Sequence, residues 1–255
     1  MAISESTALA RARAARARFP KGKITQAQAR AMFVSIMDSL VGYASGNPNW
    51  SMFGKVNIWR TPWGGRQVFW CVLTGSFAAD FAFGQAAARA GFGMQYPGNN
   101  YPPVGGTWTV WVYNWGRTNG RIVPFNSVQS GDIVLTNWGR TRAVVDHYDV
   151  ATGPRSLNVI PVIGGNTSTS SASAGAGVYR ALRPRNRVVA VVRPDWAALV
   201  RVYNASAPIQ ESDELSAAEV KEIKDYIDQK FQVAVSKGTA DNLHTGRTGA
   251  QPLGW

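Results

Sequence analysis

The sequence offers few side chains that could form a cysteine nucleophile with an imidazole base: one cysteine, Cys71, and two histidines, His147 and His244. A cysteine nucleophile needs a nearby imidazole to take up its proton, and a third polar group to orient that imidazole. With one cysteine in the chain, the search for such a pair is limited to Cys71 and either histidine. A lone cysteine is also commonly a small buried hydrophobe, which is the alternative for Cys71.

The predicted surroundings of these residues favour His147 as the partner of Cys71. Cys71 lies where a Gly-rich loop becomes a helix, so the helix dipole and free backbone N–H groups would favour a thiolate and a developing oxyanion. His147 lies in a strand-like run that can hold an imidazole rigidly, whereas His244 lies in a Gly/Thr-rich tail. Asn166 follows the next predicted strand, and we expect it to reach the far nitrogen of the imidazole.

Length and composition predict a folded domain with appendages. The 255 residues are 45% apolar and include 10 tryptophans, which is enough for a core and argues against general disorder. A single cysteine excludes an intramolecular disulfide. No stretch has the apolar length of a membrane-spanning helix, and the Arg-rich N-terminus lacks the apolar run of a signal peptide. We therefore expect synthesis in the cytoplasm without a signal peptide.

The formal charge of +12, from 27 basic and 15 acidic residues, favours an anionic partner. Basic residues crowd the first thirty positions. The segment 1–23 could be a solvated helix, a contact to anionic wall polymer or lipid headgroups, or a contact to nucleic acid. No nucleic-acid-binding motif accompanies the segment, which disfavours the last of these.

The first half of the chain has helical patterns. Residues 6–19 are Ala/Arg-rich, and Thr25 opens a second helix with a capping-box pattern. Residues 68–91 contain no proline or turn cluster and predict one buried helix that begins near Trp70. Residues 107–115 are ambiguous between helix and strand.

After residue 120 the pattern changes to short β-favouring runs separated by turn residues. These runs are residues 133–136, 143–151, 157–163, 178–182 and 187–192. They predict a small twisted antiparallel sheet. Helices followed by strands indicate the α+β class.

The predicted organisation has five parts. They are the basic segment 1–23, the main domain with its leading helix 24–196, a linker 197–213, an amphipathic helix 214–235 and a flexible tail 236–255. A lone helix with one apolar stripe must bury that stripe, so residues 214–235 predict docking on this domain, a homo-oligomer or a virion contact.

Several local patterns occur in the same order as in one known family. Residues 69–72 (FWCV) resemble its "WCA", and residues 131–135 (GDIVL) resemble its "GDIV". Residues 137–139 (NWG) followed by Asp146-His147 resemble "DW-G…DH", and residues 164–167 (GGNT) resemble "EGN-T". The chain thus resembles the CHAP domain, a cysteine- and histidine-dependent amidohydrolase/peptidase of phage endolysins and bacterial wall hydrolases. The resemblance covers roughly residues 46–196.

The resemblance implies a papain-like (NlpC-like) α+β fold and a site that cuts peptidoglycan. Cys71 would attack an amide carbonyl, His147 would take and return the proton, and Asn166 would orient the imidazole. The candidates for substrate binding are Trp70, Asn57, Trp138 and Asp146. Each tryptophan has core filling as its alternative.

This chain departs from the family pattern at two points. The family usually continues "HVGIV" after the histidine, whereas this chain has Tyr148 and Asp149 in place of small or apolar residues. Gly164 stands where many members have the Glu of "EGN", and Asp146 could supply that carboxylate instead. A carboxylate-rich calcium loop has no counterpart here, so we expect no metal and no other cofactor.

Three functions follow from these patterns. The first is a phage lysin, made in the host cytoplasm and released to the wall, that acts as an N-acetylmuramoyl-L-alanine amidase or an endopeptidase. The second is a virion- or tail-associated lysin or structural protein that opens the wall during entry. The third is a catalytically degenerate module that binds wall or nucleic acid.

Overall fold

The computed structural model describes residues 2–45, 53, 70–94, 109–139, 143–167 and 177–206, all within one unit that spans residues 1–207. Asn57, His244 and the predicted helix 214–235 with its tail lie outside the described residues. The predictions made for them stay predictions.

Two helices form the start of the chain. Helix α1 spans Glu5–Ala17 and begins after Ser4, whose side chain accepts a hydrogen bond from the Thr7 N–H. Helix α2 spans Gln26–Ser39 and has the predicted capping box, in which Thr25 and Gln28 bond reciprocally. Because this pairing satisfies backbone N–H groups that the first turn leaves free, it fixes where α2 starts.

The predicted helix in residues 68–91 is two helices in the structure. Helix α3 spans Cys71–Phe83 and helix α4 spans Gln85–Phe92. Gly84 separates them with φ +74°, a left-handed conformation that glycine adopts without the strain of a Cβ. An apolar run that contains glycine predicts a continuous helix, but the backbone angle of Gly84 ends α3 there.

Two further helices lie in the described part of the chain. Helix α5 spans Thr109–Thr118, which settles the ambiguous segment as a helix. Helix α6 spans Trp196–Ala205 and buries Trp196, Leu199 and Tyr203. The predicted linker 197–213 therefore begins with helix, because these apolar residues recur at the spacing of one helix face. None of the helices in the described ranges combines the length and apolar character that crossing a bilayer requires.

The strands form one six-stranded antiparallel sheet, listed here in chain order. They are β1 (Ile122–Val123), β2 (Ile133–Thr136), β3 (His147–Ala151), β4 (Val159–Thr167), β5 (Gly177–Pro184) and β6 (Val188–Val192). Their order across the sheet is β1-β6-β2-β3-β4-β5. The structure thus confirms the α+β class and the antiparallel sheet. It adds β1, which is too short to give an alternating pattern.

Helix α3 lies at the centre of the main core. Nearly every residue of α3 is buried, as a helix enclosed by other elements requires. The core cluster around it draws residues from the helices and from strands β2 to β6. The helix that carries Cys71 is therefore fixed on most sides, and its first residue meets the start of β3.

Candidate active site

Cys71 is the first residue of α3, and it is only 3% exposed. The Trp70 carbonyl accepts hydrogen bonds from the Thr74 N–H at 3.1 Å and the Thr74 hydroxyl at 3.0 Å, which secures the first turn. The first N–H groups of an α-helix have no partner within the helix. Cys71 thus lies at the start of a helix, beside backbone donors that could bind an oxyanion.

His147 is the first residue of β3 and is buried, and the Cys71 side chain lies near enough to raise the pKa of its imidazole. The next residue, Tyr148, packs its ring on α3 over Gly75. A Cβ at Gly75 would lie 2.4 Å from the Tyr148 ring, so the missing side chain allows β3 to approach α3 closely. This contact sets the start of β3, with His147, beside the start of α3, with Cys71.

Asp149 holds the other side of the imidazole. Side chains two residues apart in a strand share a face, so Asp149 lies beside His147 on β3. Its Oδ1 is 3.1 Å from His147 Nε2, a hydrogen bond in which Nε2–H donates to the carboxylate. Nε2 is therefore occupied, which leaves Nδ1 as the ring nitrogen available to the thiol.

The carboxylate of Asp149 fits because Gly164 has no side chain. Val150 pairs with Ile163 between β3 and β4, and this register continued by one residue sets Asp149 opposite Gly164. A Cβ at Gly164 would lie 1.8 Å from Asp149 Oδ1 and 3.4 Å from His147 Nε2. The two departures from the family pattern, Asp149 and Gly164, are thus in direct contact and depend on each other sterically.

A fully buried arginine from β5 supports Asp149. Arg183 Nε donates to Asp149 Oδ2 at 2.6 Å, and Arg183 Nη2 donates to Asp149 Oδ1 at 2.9 Å and to the Thr167 hydroxyl at 3.0 Å. Nη2 also lies 3.3 Å from His147 Nε2. Because both of these nitrogens are donors here, they share the acceptor Oδ1 rather than bond to each other.

Half-buried Trp138 covers this arginine. The guanidinium of Arg183 lies 5.5 Å from the Trp138 ring centre, and that of Arg187 lies 5.2 Å from the same ring. Cations at this range are attracted to the electron-rich ring face. The tryptophan therefore shields the Arg183–Asp149 pair from water and helps to hold its geometry.

The electrostatics of the cluster favour ionised groups. Burial acts to lower the pKa of His147, but the Asp149 carboxylate and the Cys71 side chain outweigh it and raise that pKa to about 9. Burial acts to raise the pKa of Asp149, but His147 and Arg183 hold it well below its usual range. Both results favour an imidazolium beside a carboxylate, and an imidazolium is the state of His147 that can stabilise a thiolate.

Asn166 does not take the position predicted for it. Its backbone is in the left-handed region with φ +53°, its side chain is 2% exposed, and its Oδ1 has no hydrogen-bond partner among the described residues. The far nitrogen of the imidazole bonds to Asp149 instead. Asn166 remains a candidate for another role at the site, since a strained, unpaired polar residue is typical of functional positions.

The other predicted site residues have structural contacts. The Asp146 carboxylate accepts the Trp138 N–H at 2.9 and 3.0 Å, so it fastens the turn between β2 and β3. Trp70 is 1% exposed and packs against Tyr43 and Phe53, which fits the core-filling alternative. The carboxylate beside His147 is thus Asp149 and not Asp146, because strand alternation gives residues 147 and 149 the same face.

The described part of the chain holds no group of three or more His, Cys, Asp or Glu side chains that could bind a metal. Residues that sequence reasoning missed are Asp149 and Arg183. For Asp149 a signal existed, since a strand with the pattern His-x-Asp puts both side chains on one face. Arg183 had no local signal, because it reaches Asp149 across β4.

Comparisons of this chain with protein-family models, with curated proteins and with solved structures give no match.

Proposed function

We propose that this chain is a cysteine amidohydrolase or peptidase that cleaves an amide bond in peptidoglycan, with Cys71 as nucleophile and His147 as general base. The observation that carries the proposal is a buried cluster at the start of α3, in which His147 interacts electrostatically with Cys71 and bonds to Asp149, and Arg183 binds Asp149. A structural cysteine needs no imidazole, and an imidazole needs no ion pair behind it. All of these together are what thiolate catalysis requires.

The proposed reaction has two halves. The Cys71 thiolate attacks the amide carbonyl, and the N–H groups of the first turn of α3 bind the resulting oxyanion. The His147 imidazolium then gives its proton to the leaving amine, which forms a thioester on Cys71. Water, deprotonated by His147, hydrolyses the thioester and restores the thiolate and imidazolium.

Asp149 and Arg183 act through His147 in this scheme. Asp149 accepts Nε2–H, which fixes the ring and leaves Nδ1 to exchange the proton with the sulfur. Arg183 binds both oxygens of that carboxylate, so Asp149 cannot rotate away or take up the proton of the imidazolium. Both are positioning residues.

The finer assignment of the fold is also a proposal: a papain-like CHAP domain. Its support is the order of motifs and the site that they form. We propose that the carboxylate of the family's "EGN" is supplied here from β3 by Asp149, while Gly164 on β4 vacates the space. The contact between Gly164 and Asp149 supports this exchange.

The peptidoglycan substrate is proposed from the same resemblance, with phage lysis from the host cytoplasm as the setting. The test is digestion of purified cell wall by wild-type protein, His147→Ala and His244→Ala, with mass spectrometry of the released fragments. We expect fragments from the wild type and His244→Ala, and none from His147→Ala. Their new termini distinguish an amidase from an endopeptidase. Equal release by all three proteins would refute the mechanism.

A further inference from the structure

The basic residues of α1 fall into two groups, one structural and one at the surface. Arg16 donates to the Ala82 carbonyl at 3.0 Å and to the Tyr203 hydroxyl at 2.7 Å, so it ties α1 to α3 and α6. Arg11 and Arg18 are exposed, and their side chains have no partner in the described part of the chain. These two charges are therefore available to bind an anionic ligand.

Arg11 and Arg18 line one surface cleft of about 400 Å³ together with Arg180 of β5. One carboxylate, Asp38 at the end of α2, also lines the cleft and pairs with Arg180. Three guanidinium groups against one carboxylate leave two excess positive charges. Arg11 and Arg18, which have no acidic partner in the described part of the chain, are suited to phosphate oxygens, which arginine binds in a bidentate manner.

The spacing of the arginines indicates a ligand longer than one phosphate. Arg11 and Arg18 are seven residues apart on a helix, which puts them on the same face about 10 Å apart along the axis. The burial of Ala8, Ala12 and Ala15 holds the neighbouring face of α1 in the core and so keeps both arginines on the cleft side. A chain with successive anionic groups can contact both positions, whereas a single phosphate cannot.

We propose that this cleft binds the phosphodiester chain of an anionic cell-wall polymer. The choice of wall polymer rests on the proposed function, whereas the polyanion chemistry rests on the cleft itself. Apart from Ala14 and Val41, the described lining of the cleft is polar or charged, and it contains no aromatic side chain. Aromatic or bulky apolar groups would be needed to insert into a lipid surface or to stack on nucleic-acid bases. The cleft would hold the enzyme on the wall during digestion.

The test uses a protein that cannot digest the wall, Cys71→Ala, so that binding is measured without hydrolysis. In this background, Arg11→Gln/Arg18→Gln is compared with Arg13→Gln/Lys23→Gln. The second pair removes the same charge from exposed residues that do not line the cleft. Binding of purified glycerol-phosphate wall polymer and of inorganic polyphosphate is measured by calorimetry, and far-ultraviolet circular dichroism checks that each variant is folded.

We expect the cleft pair to weaken polymer binding by about tenfold to thirtyfold, as for two basic residues near an anionic surface, and the control pair to change it by less than about threefold. We also expect polyphosphate to bind more tightly as its chain lengthens. Equal losses in both pairs would overturn the proposal, as would tighter binding to anionic lipid vesicles or to DNA than to the polymer. If polymer binding depends on the cleft but the wild type releases no wall fragments, the binding proposal stands and the proposed hydrolase function is refuted.

Discussion

The buried pair between Arg183 and Asp149 makes a sharp prediction about stability and activity together. Both side chains are fully buried, and two hydrogen bonds of 2.6 and 2.9 Å join them. Removing one member of such a pair leaves an uncompensated buried charge, which costs about 3–5 kcal/mol of unfolding free energy. Against a total stability of about 5–15 kcal/mol, Asp149→Leu and Arg183→Met alone should each be strongly destabilised but folded in mild conditions.

The double variant Asp149→Leu/Arg183→Met should recover much of that loss. Replacing both members of a buried ion pair by apolar side chains of similar volume is often neutral. One cost remains, because His147 Nε2–H loses its acceptor, and a buried unsatisfied donor costs about 1–3 kcal/mol. We therefore expect the double variant to be more stable than either single variant, yet below the wild type.

Activity should not recover with stability. Without Asp149 the imidazole is neither oriented nor favoured as imidazolium, so wall cleavage should fall by roughly a hundredfold to ten-thousandfold in the double variant as in Asp149→Leu. Urea unfolding followed by tryptophan fluorescence gives the stability cycle, and release of wall fragments gives the activity. Additive stability losses would refute the ion-pair reasoning. A double variant as active as the wild type would refute the role of Asp149.

The remaining predictions concern pH and space at the site. The pKa of His147 is raised to about 9, so the stability that this residue contributes is fully present below its ordinary pKa near 6.5 and is lost as pH rises through about 9. Urea unfolding should therefore give a lower free energy of unfolding at pH 9.5 than at pH 6. The same comparison in His147→Asn should show a smaller drop. The pKa of Asp149 is lowered, so the stability that this residue contributes is present above its ordinary pKa near 3.9 and is lost as pH falls below that value. Asp149→Leu should not show this loss of stability in acid. Wall cleavage should also fall above about pH 9, where the imidazolium loses the proton that the leaving amine needs, and a rate that is flat to pH 11 would contradict this. Gly164→Ala sets a Cβ 1.8 Å from the Asp149 carboxylate and should abolish most activity, whereas Gly153→Ala meets nothing within 4 Å and should leave it unchanged; equal activity in both would show that the carboxylate has room elsewhere.

Local patterns in the sequence predicted much of this molecule. The capping box at Thr25, strand β2 at 133–136 and the position of Cys71 at a helix start are all set by residues close in the chain. The pairing of Cys71 with His147 could also be predicted, because the chain has so few residues of these types.

The support behind His147 could not be predicted, because it depends on contacts between distant strands. Arg183 on β5 bonds to Asp149 on β3 across the intervening strand β4, where Gly164 leaves room for the Asp149 carboxylate. In the sequence, Asp149 and Gly164 were two unrelated departures from a family pattern. The strand register makes them one compensated exchange.

The most direct test of the whole account is wall digestion by four proteins: wild type, Cys71→Ala, Asp149→Asn and Asn166→Ala. We predict peptide fragments from the wild type, none from Cys71→Ala, and a larger loss of rate in Asp149→Asn than in Asn166→Ala. Fragment release by Cys71→Ala at the wild-type rate would contradict the thiolate mechanism. A larger loss in Asn166→Ala than in Asp149→Asn would return the orienting role to Asn166.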